Sequence, residues 1–180
     1  MTPVELTPPE TPNALRVVNE EAVDILYEWL FQGRCEEGAN NMGDWVLWLT
    51  NGRIGSWCAA LQYRADAEAA HHRGWVHPII YSRRCHSARW LHRAYTRVGG
   101  SVRPRDARVG DLVTLPRGLP HQGHSQRISR VHDSKEDGSG PVVSLIDGNV
   151  GSYRRTRGRV REVGPVDLRR IELVGIARLW

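Results

Sequence analysis

Along the first half of the chain, apolar residues return every three or four positions. Ala22, Ile25, Leu26, Trp29 and Leu30 define a helix that opens at Glu20-Glu21. Asn19 is its expected N-cap and Gly33 its stop. The Pro- and Thr-rich stretch before it, residues 1–18, is expected to be a flexible arm. After a polar connector, Arg34 to Asn40, a short helix is predicted from Asp44 to Thr50, with Asn51-Gly52 as its end. Trp45, Trp48 and Leu49 share one of its faces and read as core, the usual place for an aromatic stripe. A third helix runs from Trp57 to about Ala70 behind the turn at Gly55, with Ser56 as the expected cap. Leu61, Gln62, Ala65 and Ala69 fall on the same face as its Cys58. Arg73 to Cys85 is a connector, and Ser87 caps a short helix through Tyr95 that Gly99-Gly100 terminates.

Beyond Gly100 the period changes from helical to alternating. Asp111 to Leu115, Ser125 to Val131, Val142 to Asp147 and Glu172 to Leu179 are the predicted strands. Helices first and antiparallel strands after predict an α+β domain, residues 19–180, with the helices packed on a C-terminal sheet. There is no internal repeat.

Composition narrows the class. The 180 residues suit one domain with a real core, and 40% hydrophobic with 25% charged is ordinary for a globular protein. No run approaches the roughly 18 apolar residues that span a bilayer, so no transmembrane segment is expected. The N-terminus lacks the charged and apolar regions of a secretory signal, so synthesis in the cytoplasm without a signal peptide is expected. The net charge is +5, carried almost wholly by arginine, which suits partners bearing phosphate or carboxylate. Cys35, Cys58 and Cys85 are too few for a disulfide scaffold, and spacing leaves open whether Cys35 and Cys85 pair.

Cys58 carries the candidate chemistry. At a helix start, unpaired N–H groups and the helix dipole favour a thiolate. A free cysteine titrates near about 8.5, and such a setting with a nearby imidazolium brings that to roughly 3.5–7.5. The same N–H groups can hold an oxyanion. A thiol nucleophile needs a base, and the base needs a group to orient it. His124 supplies the base and Asp147 the orienting acceptor, with His121 as the substitute base. Asn149 lies two residues beyond Asp147, about 7 Å along an extended strand and on the same face.

Taken in order, these pieces resemble the CHAP and NlpC-type cysteine amidases and peptidases of the papain-like fold. The matching units are Glu36-Glu37 through Asn41-Met42-Gly43, Trp57-Cys58-Ala59-Ala60, Val109-Gly110-Asp111-Leu112-Val113, Gly123-His124 and Asp147-Gly148-Asn149. The resemblance covers about Asn19 to Trp180. It implies Cys58 as nucleophile, His124 as base, Asp147 and Asn149 as orienting groups, and Gly110-Asp111 as a structural turn. Trp57 and Gln126, beside the nucleophile and the base in the chain, are the expected substrate contacts. Two departures stand out: Ser125-Gln126-Arg127 is polar where relatives are Gly- and Val-rich, and Asp147 stands where many carry Glu. The implied activity is hydrolysis of a peptidoglycan amide, at the glycan–peptide junction or within the stem or cross-bridge. Action at the wall would then follow delivery as a phage lysin, a tail component or a secretion-system effector, the last with an immunity protein as partner.

Two other classes compete: a papain-like toxin acting on a cytosolic protein, and a wall-binding or structural domain without catalysis. No cofactor or metal is expected, because His121, His124, Cys85 and His86 fit no zinc spacing. The run from Arg154 to Arg161 reads as a solvated loop or edge strand. No base-reading motif accompanies it, so nucleic acid is not the expected partner.

Overall fold

The change of period at Gly100 is the seam of the architecture. The computed structural model describes residues 12–37, 41–119, 122–133, 141–150 and 158–179. Four helices come first: α1 (Pro12–Phe31), α2 (Asp44–Leu49), α3 (Cys58–His72) and α4 (Ala88–Val98). Six strands follow: β1 (Ser101–Val102), β2 (Leu112–Pro116), β3 (Gly123–Asp133), β4 (Val142–Val150), β5 (Arg159–Asp167) and β6 (Gly175–Ala177). They form one sheet in the order β1-β6-β2-β3-β4-β5, with every pairing antiparallel. The fold is α+β, with N-terminal helices packed on a C-terminal sheet that does not close into a barrel.

Two caps differ from expectation. α1 begins at Pro12, so Asn19 lies inside the helix, buried, and caps nothing. Proline suits a first turn, where its missing N–H has no helical acceptor. Gly110 then packs against Asn19; a Cβ there would stand 2.5 Å from that of Asn19, and Gly110 takes φ +90°. α3 is headed by Trp57, and no side chain caps it, so Ser56 does not fill that role. Ser87 does cap α4, its Oγ accepting from the Trp90 N–H at 3.4 Å.

Both faces of the sheet are covered. Ile146 joins Val18, Leu26, Trp29, Trp57 and Leu61 beneath α1 and α3. Leu112 joins Ala59, Tyr63, Leu91 and Tyr95 beneath α3 and α4. The alternate residues Val113, Ile128, Leu145 and Ile176 form a separate core on the opposite face. Trp29, Trp45 and Trp57 stack edge to face at 5.4–5.9 Å, but of the expected stripe only Leu49 is fully buried: Trp45 is half-buried against the core and Trp48 is 48% exposed.

A buried ion pair fixes α3 on β3. Arg127, fully enclosed, gives two N–H groups to the Asp66 carboxylate, one at 2.6 Å, and donates to Gln62 Oε1 at 3.1 Å and the Gly110 carbonyl at 3.1 Å. The Tyr95 hydroxyl of α4 donates to the same carboxylate. A charge taken from water is tolerable only when paired and hydrogen-bonded, and this set meets both conditions. The polar residue that interrupts β3 is therefore a tie between layers. At the sheet's far edge, β5 carries Arg159 and Arg161; Arg154 to Arg157 lie outside the described residues, as does His121. Among the described residues no helix is long and apolar enough to cross a membrane.

Candidate active site

Three elements converge where α3 begins. Cys58 is the first residue of α3, 2% exposed, and the N-cap residue Trp57 makes no side-chain hydrogen bond to that turn. His124 stands near the start of β3, paired with Leu115 of β2. Asp147 lies fully buried on β4, directly opposite Gln126.

His124 Nε2 meets Asp147 Oδ2 at 3.0 Å. Its other ring nitrogen, Nδ1, is buried and has no hydrogen-bond partner among the described residues, while the Cys58 thiol acts on the same imidazole electrostatically. The electrostatics are reciprocal. Burial works against a charged imidazole, but the Asp147 hydrogen bond and the Cys58 sulfur outweigh it and push His124 up to about 9. Burial likewise raises Cys58; His124, the Ser125 N–H and the charge of Arg117 more than offset this, and the thiol ends below its ordinary value. Each shift favours the charged form of its group, thiolate for Cys58 and imidazolium for His124.

Asp147 is held on every side. Gln126 Nε2 donates to its Oδ2 at 2.6 Å, and Arg161 Nε of β5 approaches its Oδ1 at 3.2 Å. Gln126 is thus corrected from substrate contact to support for the carboxylate: it is 5% exposed and its amide faces Asp147. Trp57 is corrected as well. It has no exposed surface, because its indole packs on Trp45 and donates to Glu36 Oε1 at 2.8 Å. Glu36 is itself anchored by the Gly158 N–H at 2.9 Å.

Asn149 does not share the work of Asp147. It adopts φ +60°, inside a register shift between Asp147 and Val150, so the strand alternation that would align the two is broken. Among the described residues its side chain makes no hydrogen bond to His124. Between them Gly148 lets β4 touch α3: a Cβ there would lie 2.2 Å from Trp57 and 2.6 Å from Leu61. Gly110-Asp111 is a turn as expected, with the Arg108 N–H on Asp111 Oδ2 at 2.8 Å and Arg178 on both carboxylate oxygens at 2.8 Å.

Of the expected site residues, His124 and Asp147 are hydrogen-bonded, and the Cys58 thiol acts electrostatically on the same imidazole. Sequence reading missed Arg161, Gly148 and the Arg127–Asp66 tie. Asp66 was findable, since it sits two turns from Cys58 on the face that faces the sheet, where an acid calls for a buried cation. Cys35 and Cys85 are both free thiols. Among the described residues no three His, Cys, Asp or Glu side chains gather as metal ligands would. Compared with known proteins, the chain matches no family model, no curated protein and no solved structure.

Proposed function

We propose that this protein is a cysteine hydrolase that cleaves an amide of peptidoglycan. The observation that carries the reading is His124 set between a buried carboxylate and a thiol at a helix start, with both partners shifting its titration upward. In the reaction, the Cys58 thiolate adds to the amide carbonyl carbon, and the charge moves to oxygen, facing the open N–H groups of α3. The tetrahedral adduct collapses as the C–N bond breaks. His124 gives its proton to the departing amine and a thioester remains. Water then attacks the thioester, His124 takes a proton from it, and the Cys58 sulfur leaves to restore the ion pair. Asp147 keeps the ring in the orientation these transfers require.

The substrate class rests on the ordered CHAP and NlpC-like units, with a papain-like arrangement as part of the same proposal. Mass spectrometry of purified peptidoglycan after incubation with wild type and with Cys58→Ala tests it. Fragments released by wild type alone are expected, and their masses name the bond. No release from walls of several chemotypes, from folded protein with a reactive thiol, would overturn the wall as substrate.

A further inference from the structure

Asp147 sits in the middle of a polar row that the sheet register creates. It lies directly opposite Gln126 of β3 on one side and Arg161 of β5 on the other. Residues directly opposite each other point to one face of a sheet, and His124, two positions before Gln126, shares that face. The carboxylate divides its oxygens between the two neighbouring strands. Oδ2 accepts from Gln126 Nε2 at 2.6 Å and meets His124 Nε2 at 3.0 Å, whereas Oδ1 is met by Arg161 Nε at 3.2 Å. Asp147 has no exposed surface, and the Arg161 side chain that covers it from the edge strand is 43% exposed. Among the described residues, His124 and Arg161 are the two groups ion-paired with this carboxylate.

The charge around Asp147 changes during the proposed reaction. While His124 holds its proton, an imidazolium and a guanidinium both face the carboxylate. Once that proton has gone to the departing amine, the ring is neutral and Cys58 is a thioester. Arg161 is then the remaining positive partner of the enclosed carboxylate among the described residues. A buried charge without a partner is strongly unfavourable, so the neutral-ring state is reached more easily with the guanidinium in place. The imidazolium, for its part, feels Arg161 as a like charge across the carboxylate.

We propose that Arg161 is a positioning residue for the chemistry at Cys58: from the edge strand it holds Asp147 Oδ1 and balances the carboxylate while His124 is without its proton. This rests on the reading of Cys58, His124 and Asp147 as a hydrolase site. Arg161 acts on the ring through Asp147. The other groups that bear on the ring are Cys58 from α3 and Asp147 itself from β4. The charge of Arg117, just past β2, acts on Cys58, and Arg89 of α4 is turned to the Gln122 carbonyl at 2.7 Å.

The test compares Arg161→Gln, which keeps an N–H donor without the charge, with Arg161→Lys, which keeps the charge. The His124 midpoint, read by NMR of the ring carbons, lies at about 9 in the wild type. In Arg161→Gln it should rise by about half a pH unit, the order expected when a like charge is removed from across the carboxylate. The alkaline limb of turnover on solubilised peptidoglycan should move up with it. At neutral pH kcat should fall by about threefold, the factor that half a pH unit represents, with KM unchanged. Arg161→Lys should return both the midpoint and kcat towards wild type. An unmoved His124 midpoint in Arg161→Gln, or a loss carried by KM, would overturn the proposal. A lowered urea midpoint with His124 unmoved would do the same, by confining Arg161 to closing the sheet edge. The NMR readout needs no substrate: a wild type that releases nothing from walls defeats the wall as substrate, and the His124 shift still decides whether Arg161 is coupled to the site.

Discussion

Cys58 and His124 titrate against each other, and this makes their protonation testable one residue at a time. Because Cys58 lies below its ordinary value, the midpoint of its alkylation by iodoacetamide should fall below the free-thiol value of about 8.5. His124 keeps its proton up to about 9. Turnover needs that proton for the leaving amine, so it should fall as pH rises past this point, while alkylation, which needs only the thiolate, should not. His124→Ala should abolish turnover and raise the alkylation midpoint, because burial of Cys58 is then largely unopposed, and Cys58→Ala should abolish both signals. Asp147→Asn should cost less, since an amide oxygen can still accept from His124 Nε2. Loss of the carboxylate charge should draw the His124 midpoint down from about 9, which NMR of the ring would read directly. A His124 midpoint unchanged in Asp147→Asn would remove Asp147 from the mechanism.

At the scale of elements, the meeting of β4 with α3 depends on one missing side chain. Gly148→Ala places a methyl group 2.2 Å from the Trp57 ring, so α3 must move away or the strand must bend. Overpacking of this kind costs about 1–3 kcal/mol, measurable by urea unfolding. Since Cys58 begins the helix that moves, the alkylation midpoint should rise in the same variant. The elements also mark where sequence reading succeeds. α2, α4, β2 and β4 were legible because apolar period and caps agree, as at Ser87. β5 was legible only as the edge-strand alternative for the basic run, because its Arg159, Arg161 and Glu162 hide the alternation that an interior strand would show. The start of α1 was missed because the Pro- and Thr-rich residues before it were read together with Pro12 to Val18, whereas a proline suits the first turn of a helix. The positions of Trp57 and Gln126 failed for a related reason: adjacency in sequence to a reactive residue does not tell which way a side chain points.

For the whole molecule, the Arg127–Asp66 pair links α3, α4, β3 and the Gly110 turn through a single buried cation. Arg127→Met strands the Asp66 carboxylate away from water, and breaking such a pair costs about 3–5 kcal/mol. Arg127→Met with Asp66→Leu should recover most of that loss, because two apolar side chains leave no charge unpaired. Urea midpoints for the two single variants and the double close the cycle. A double variant as unstable as the sum of the singles would assign the network's contribution to its hydrogen bonds and not to charge pairing.

The sheet order has a consequence for how this protein is made. β6, the last of the described strands to leave the ribosome, lies inside the sheet between β1 and β2, which are synthesised earlier. Until it inserts, β2 lacks one neighbour, and β2 is the strand that flanks His124. Cys58 is translated before β3, so on the nascent chain it lacks the His124 imidazole that lowers its titration. The sheet is therefore complete only when β6, the last of the described strands, has inserted between two strands made before it.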